Sequence, residues 1–370
     1  MTGKNASLLV GRYIKYFSSK KPLIVTDKTV RTLDWFSHII SVISENVPDY
    51  CIFDDLTENP KDYEAMLGAE YFLKNECDLI IAIGGGSPID CAKAISIVST
   101  NGGHILDYVG VDQINLPGPP LICIPSTAGT GADVSQFAII ADSKNLIKKA
   151  IISKKVVPDL ALIDPIPLTT LSKDLIAVTG MDALTHAIEA YVSNAQSELT
   201  DVHASKAIKL IQESIEKAYN SKRTVYDLNN MMLGSLHAGI AFSNASLGAV
   251  HALAHSLGGV LDLPHGKCNS ILLCHVIAFN YNSSKKRYNE IASFMGLKKD
   301  KEAIINYIND LTLSLGIPEK FHVNKLNRSL KENLIENALN DPCLITNPCE
   351  LNNKDVERIY DKIIQQKNHT

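Results

Sequence analysis

Asp182 and His186 stand four residues apart in Thr179-Gly180-Met181-Asp182-Ala183-Leu184-Thr185-His186-Ala187-Ile188-Glu189. That spacing sets both side chains on one face of a helix, as half of a site for a divalent cation. His251 and His255 repeat it within AVHALAHSLGGV, an apolar helical pattern in which a lone imidazolium is costly. His265 follows in a turn, Leu263-Pro264-His265-Gly266-Lys267. Three imidazoles and one carboxylate make a four-donor set for a borderline divalent ion, with room for a substrate oxygen as a fifth ligand. The competing reading, that each is an ordinary core or surface histidine, has to explain two helical pairs and a turn histidine separately. His203, His237 and His275 lack such pairing and are read as ordinary. Neither HExxH nor a Gly-x-Ser-x-Gly elbow occurs, and Cys91 reads as a packed small residue.

A second chemistry is suggested by Gly84-Gly85-Gly86-Ser87-Pro88-Ile89-Asp90, which follows the apolar run Leu79–Ile83 and opens a helix. Glycines permit close backbone approach, Pro88 suits a first helical turn, and a helix N-terminus offers free N–H groups to an anion. The motif is a phosphate cradle or else only a tight connection; it is not GxGxxG, and no acid follows at the usual Rossmann distance. The suitably placed acid is Asp27, at the end of the first apolar run. Ser126-Thr127-Ala128-Gly129-Thr130-Gly131-Ala132-Asp133 forms another polar, glycine-bearing loop after Leu121–Ile124. Two such loops after two core strands point to one shared nucleotide site.

Elements that could position these residues fall into two kinds. Through residue 165, apolar runs at 22–26, 50–53, 79–83 and 121–124 alternate with helical patterns such as 61–75 and 87–99. Strands buried on both faces and separated by helices predict a parallel, Rossmann-like α/β sheet. Beyond Pro165, strand signals nearly vanish and helices are expected near 175–192, 197–219, 225–244, 247–261, 268–280, 285–295, 300–315 and 353–366. The expected organisation is an α/β dinucleotide-binding domain at 1–165 and an all-helical metal-binding and catalytic domain at 166–370. The tail QQKNHT reads as a frayed end.

Composition narrows the partners. With 370 residues, 45% hydrophobic and 21% charged, the chain is an ordinary globular protein of about two domains. Its 36 basic and 40 acidic residues leave a formal charge of -4 and no basic stripe, which argues against nucleic acid. The N-terminus lacks a signal-peptide core and no segment is apolar enough to span a bilayer, so no membrane role and a cytoplasmic location are expected. Eight cysteines without a CxxC read as reduced, mostly buried thiols.

In one continuous order, the chain resembles the iron-containing, or group III, alcohol dehydrogenase family, of dehydroquinate synthase-like architecture. The likeness rests on Val25-Thr26-Asp27, Gly84 to Asp90 with Ala92-Lys93, Thr127 to Gly131, Pro158-Asp159, Asp164-Pro165, Thr179 to Tyr191, His251 to His255, Pro264-His265-Gly266 and Thr346-Asn347-Pro348. The resemblance implies Asp182, His186, His251 and His265 as metal ligands, and His255 as a catalytic or nicotinamide-contacting residue. It implies Gly84, Gly85, Gly86, Ser87 and Asp90 at the pyrophosphate, with Ser126, Thr127, Thr130 and Lys149 elsewhere on the cofactor. Asp27 would hold the adenosine ribose and repel a 2′-phosphate, so NAD(H) is expected over NADP(H), with Fe²⁺, or Zn²⁺ in its place. Gln136, Phe137, Phe242 and Leu247 would face the substrate, a short primary alcohol or aldehyde of about C2–C4 in a largely apolar pocket. The implied activity is metal-assisted hydride transfer by a homodimer or larger homo-oligomer. A reductase of a small anionic aldehyde, such as phosphonoacetaldehyde or sulfoacetaldehyde, is the alternative, and a glycerol dehydrogenase-like polyol enzyme or a non-redox lyase fits the motifs less well. The chain departs from the family at Asp133, where Glu is commoner, and at Cys349, where Arg is commoner.

Overall fold

Leu79–Gly84 is buried along its whole length, as only a strand covered on both faces can be. A computed structural model, which describes residues 1–145, 147–323 and 326–366, places it at the centre of a five-stranded parallel sheet. The strands of that sheet are β1 (Pro22–Val25), β2 (Cys51–Phe53), β3 (Leu79–Gly84), β5 (Leu121–Pro125) and β8 (Leu160–Ala161), in the order β2-β1-β3-β5-β8. Alternation along β3 sorts its side chains between two cores. Leu79, Ile81 and Ile83 pack with residues of α1 (Val10–Tyr16) and α2 (Asp34–Asn46), whereas Ile80 and Ala82 join Phe72 of α3 (Asp62–Lys74) and Ile89, Ala92 and Ile95 of α4 (Gly86–Asn101). The chain leaves β1 toward β2 on one side and resumes at β3 on the other. The carboxyl ends of β1 and β3 therefore flank a topological switch point, the crevice where open α/β sheets take ligands.

A second sheet, of order β4-β7-β6, contains β4 (Gly110–Val111), β6 (Phe137–Asp142) and β7 (Ile147–Ile152). The sequence pattern does not announce the β6–β7 hairpin, because Lys148 and Lys149 interrupt the apolar alternation of β7. The segment entering β6 is fastened by Lys93, which is fully buried and whose Nζ donates to the carbonyls of Ser135 (2.8 Å) and Phe137 (2.7 Å). Burial drives the Lys93 pKa down and pushes the neighbouring carboxyls of Asp90 and Asp133 up to about 6, against the pull of that ammonium. Lys93→Met should destabilise the protein by about 3 kcal/mol in denaturant unfolding, since it strands two carbonyls and two acids together. An unchanged midpoint would show that Lys93 is no anchor.

Beyond these strands lie α5 (Lys173–Val192), α6 (Glu198–Tyr219), α7 (Val225–Ala245), α8 (Ala249–Leu261), α9 (His265–Asn280), α10 (Lys285–Phe294), α11 (Lys301–Ser314), α12 (Arg328–Leu339) and α13 (Asn353–Ile363). The chain divides into two compact units, residues 1–171 with 224–236, and residues 172–223 with 237–370. The expected helices are found within a few residues, with two corrections and one addition. His265 is not in a turn but is the first residue of α9, with Pro264 at the N-cap. The helix expected at 353–366 stops at Ile363, and 364–366 form β10, which pairs in parallel with β9 (Phe321–Val323), so among the described residues the second unit is helical apart from this short ladder. Residues 367–370 of the tail lie outside the described residues. Helix α12, with its polar sequence RSLKENLIENAL, is an addition to the expected set. Seven of the eight cysteines are buried and all are free thiols. Among the described residues no helix is long and apolar enough to cross a membrane.

Candidate functional site

In the first unit, Gly85 is the N-cap of α4 and supplies no side-chain cap, so the helix presents unused N–H groups just beyond β3. The two glycine-bearing loops meet there. Ser126 N donates to Gly84 O at 2.8 Å, and a Cβ on Gly86 would lie 2.8 Å from Thr130 Cγ2, so position 86 has no room for a side chain. A Cβ on Gly85 would lie 3.3 Å from Thr127 Cγ2, a tighter contact than most, and Ser126 is buried. Ser87 Oγ accepts from Asn59 N (3.2 Å), and Asp90 lies one turn into α4. At the end of β1, Asp27 Oδ1 accepts from Val30 N (2.8 Å), which aims the carboxylate. Beside it Thr26 Oγ1 is fully buried and makes no hydrogen bond among the described residues. An anion cradle, an oriented acid and an unused hydroxyl around one switch point fit a dinucleotide.

Lys149 lies on β7, where its charge acts on Asp142. It alternates with Lys148 along β7, and it is Lys148 Nζ that reaches Asn59 Oδ1 (2.8 Å) and whose charge is felt by Asp90. Gln136 and Phe137, half-buried, stand where Lys93 holds the chain at the start of β6.

The second unit assembles the histidines from three helices. Asp182, His186 and His251 are buried and their ligand atoms all lie within 4.8 Å of one another. His251 Nε2 and His265 Nε2 are each 3.8 Å from Asp182 Oδ1. Four donors about 2.1 Å from one tetrahedral centre would stand about 3.4 Å apart, so Asp182, His186 and His251 are close to a cation's needs and His265 borders them through Asp182. Three imidazoles and one carboxylate also suit Fe²⁺ or Zn²⁺ chemically. Burial opposes charge on Asp182, yet His186, His265 and His251 hold its carboxyl well below the usual range. Burial likewise disfavours the His251 cation, but Glu189 and Asp182 outweigh it and hold that pKa up at about 9.

Supporting groups make the set specific. Glu189, one turn beyond His186 on α5, places Oε2 2.5 Å from His251 Nδ1, which leaves Nε2 for the centre. Its Oε1 accepts from Val250 N (2.6 Å), and Asn347 Oδ1 accepts from Ala249 N (3.1 Å). Between them they cap α8, whose own N-cap is Gly248. Asn347 is held by a reciprocal amide pair with Asn280, at 2.8 and 3.0 Å, which gives the Thr-Asn-Pro segment its role. A Cβ on Gly266 would sit 2.6 Å from Val178 O, so the glycine after His265 lets α9 approach α5. Asn269, one turn past His265, places Nδ2 within 2.6 Å of Asp182 Oδ1 and 3.1–3.2 Å of His251 and His265 Nε2.

Phe242 stacks on His186, with ring centroids 4.5 Å apart, and Leu247 is buried nearby in sequence, its carbonyl accepting from Thr346 Oγ1. His255 stacks on His265 (5.2 Å, 12°) and its Nδ1 lies 2.8 Å from Asp341 Oδ2. His203 and His237, unpaired in sequence, meet in space with Nδ1 atoms 2.8 Å apart.

Family models agree with this geometry. Residues 1–165 match the model described as iron-containing alcohol dehydrogenase, and residues 176–364 match the C-terminal part of the Fe-containing alcohol dehydrogenase family. The chain belongs to the iron-containing alcohol dehydrogenase family. As a member it is an oxidoreductase acting on CH–OH groups. It is 36% identical over 367 residues to 1,3-propanediol dehydrogenase of Citrobacter freundii, covering 97% of this chain and 95% of the relative. It is 35% identical over 364 residues to an NAD-dependent methanol dehydrogenase of Bacillus methanolicus, covering 96% of each. The crystal structure of a 1,3-propanediol oxidoreductase superposes with a TM-score of 0.91 at 34% identity and covers 97% of both chains.

Of the residues that support the site, the sequence pattern alone leaves out Glu189, Asn269 and Asp341. Glu189 and Asn269 carry a usable signal, since each lies three or four residues from a ligand on the same helix face. Asp341 carries none, because it comes from a turn 86 residues beyond His255.

Proposed function

We propose that this iron-containing alcohol dehydrogenase interconverts short, uncharged primary alcohols and aldehydes of about two to four carbons, with NAD(H) as hydride carrier and Fe²⁺, replaceable by Zn²⁺, in the histidine site. The observation that carries the reading is the set of Asp182, His186, His251 and His265, gathered from α5, α8 and α9 beside the apolar face of Phe242. When bound, the cation supplies Lewis-acid polarisation of the substrate oxygen and the nicotinamide supplies or accepts the hydride. Phe242 and Leu247 give an alkyl chain an apolar wall and keep water from the reacting carbon. His255 exchanges the proton that must enter or leave the substrate oxygen. The α4 N-terminus with Ser87 holds the pyrophosphate, the Ser126–Thr130 loop lies along the adenosine and nicotinamide halves, and Lys149 on β7 approaches the cofactor.

Asp27 sets the cofactor preference. Its carboxylate, fixed by Val30 N, accepts from ribose hydroxyls and repels a 2′-phosphate. Asp27→Ser should raise kcat/KM with NADPH relative to NADH by about 10²-fold, read from initial rates with both cofactors, because a like-charge contact costs several kcal/mol. An unchanged ratio would remove Asp27 from the specificity role.

The substrate reading is tested by following NADH and NADPH absorbance with ethanol, propanol, butanol, 1,3-propanediol, glycerol, their aldehydes and sulfoacetaldehyde, on protein of measured metal content. The expected result is highest kcat/KM with a short uncharged aldehyde and NADH. Preference for sulfoacetaldehyde or glycerol would replace the substrate class, and product formation without net NADH change would indicate a lyase.

A further inference from the structure

His255 is fixed from two sides, by ring contacts with His265 and His251 and by a carboxylate. Its ring lies flat on His265 and edge-on to His251 (6.0 Å, 67°), and the next residue, Ser256, anchors α8 to α12 through Oγ donating to Leu334 O (2.8 Å). Asp341 comes just after α12, at the head of the short 3₁₀ turn Pro342–Thr346. One of its oxygens accepts from Cys343 N (2.8 Å), which fixes the carboxylate plane, and the other lies 2.8 Å from His255 Nδ1. Both side chains are largely buried, at 16% and 13% exposed. An ionised carboxylate only accepts, so the ring nitrogen facing it must carry hydrogen.

We infer that Asp341 is the positioning residue of His255: it holds the Nδ1 hydrogen and leaves Nε2 as the nitrogen that exchanges a proton with substrate. The inference rests on the reading of His255 as the proton-exchanging group. In reduction, the imidazolium gives its Nε2 proton to the carbonyl oxygen as hydride reaches the carbon, and the neutral ring keeps Nδ1–H on Asp341. In oxidation, neutral Nε2 takes the hydroxyl proton as hydride leaves for NAD⁺. Without the carboxylate the two neutral tautomers compete, and rings carrying hydrogen on Nε2 cannot accept.

The test is a double-mutant cycle on Zn²⁺-loaded enzyme with Asp341→Asn, His255→Ala and both together. Asp341→Asn is expected to lower kcat about 10²-fold, with metal content and KM for NADH unchanged, and to change kcat less than about 2-fold in the His255→Ala background. Asp341→Glu should recover part of the loss. An equal loss in both backgrounds, or a kcat near the parent's for Asp341→Asn, overturns the inference while the role of His255 stands. Full activity of His255→Ala overturns that role and the inference with it. A measurement independent of any change at position 341 is the ¹⁵N spectrum of histidine-labelled parent enzyme, with the His255 signal identified by its loss in His255→Ala. An Nδ1–H tautomer supports the inference and an Nε2–H tautomer refutes it.

Discussion

His265→Ala is expected to yield a folded protein that retains almost no metal after dialysis and loses turnover by more than about 10³-fold, the share a Lewis acid supplies to such a step. His265 is the one donor brought by α9, and its Nε2 stands 3.8 Å from Asp182 Oδ1. Three donors from two helices would remain, and the buried Asp182 carboxylate would lose a cationic neighbour. Metal analysis and NADH kinetics on the same sample check the result. Quenching of NADH fluorescence should persist, because the dinucleotide residues belong to the other unit. Full activity in metal-free His265→Ala enzyme would overturn the metal assignment.

Glu189→Gln and Glu189→Ala should have the second largest effect. The glutamine keeps the shape but no longer fixes the His251 tautomer, and metal affinity should fall about 10- to 100-fold in a titration of the apo protein. The alanine also frees Val250 N and leaves His251 Nδ1 unpartnered inside the protein, so a further loss of about 3 kcal/mol in unfolding free energy is expected. A glutamine variant that binds metal as the parent does would show that Glu189 serves α8 alone.

How legible these features are in the sequence depends on the range of the interaction behind them. Strands β1, β3 and β5 are readable because both faces are buried, so their apolar runs are unbroken. Asp182 with His186, and His251 with His255, are readable because helical spacing brings each pair to one face. The β6–β7 hairpin is obscured because Lys148 and Lys149 break its apolar alternation, Lys148 bonding Asn59 rather than a core. The start of α9 is misplaced because Pro264 reads as a turn signal, although it stands at the helix's own N-cap. Asp341 and Asn347 act across 86 and 98 residues, a distance at which no local pattern operates.

That last distance bears on how the enzyme is made. The first amides of α8, the helix that delivers His251 and His255, have as partners Glu189, already synthesised, and Asn347, which leaves the ribosome 98 residues later. At about 5–20 residues per second that is a delay of about 5–20 s. Through that interval the entry to α8 is only half secured, and closing so long a loop is slow and entropically costly. The N-terminal cap of α8 is therefore completed late in synthesis, only when the Thr-Asn-Pro segment has docked against Ala249.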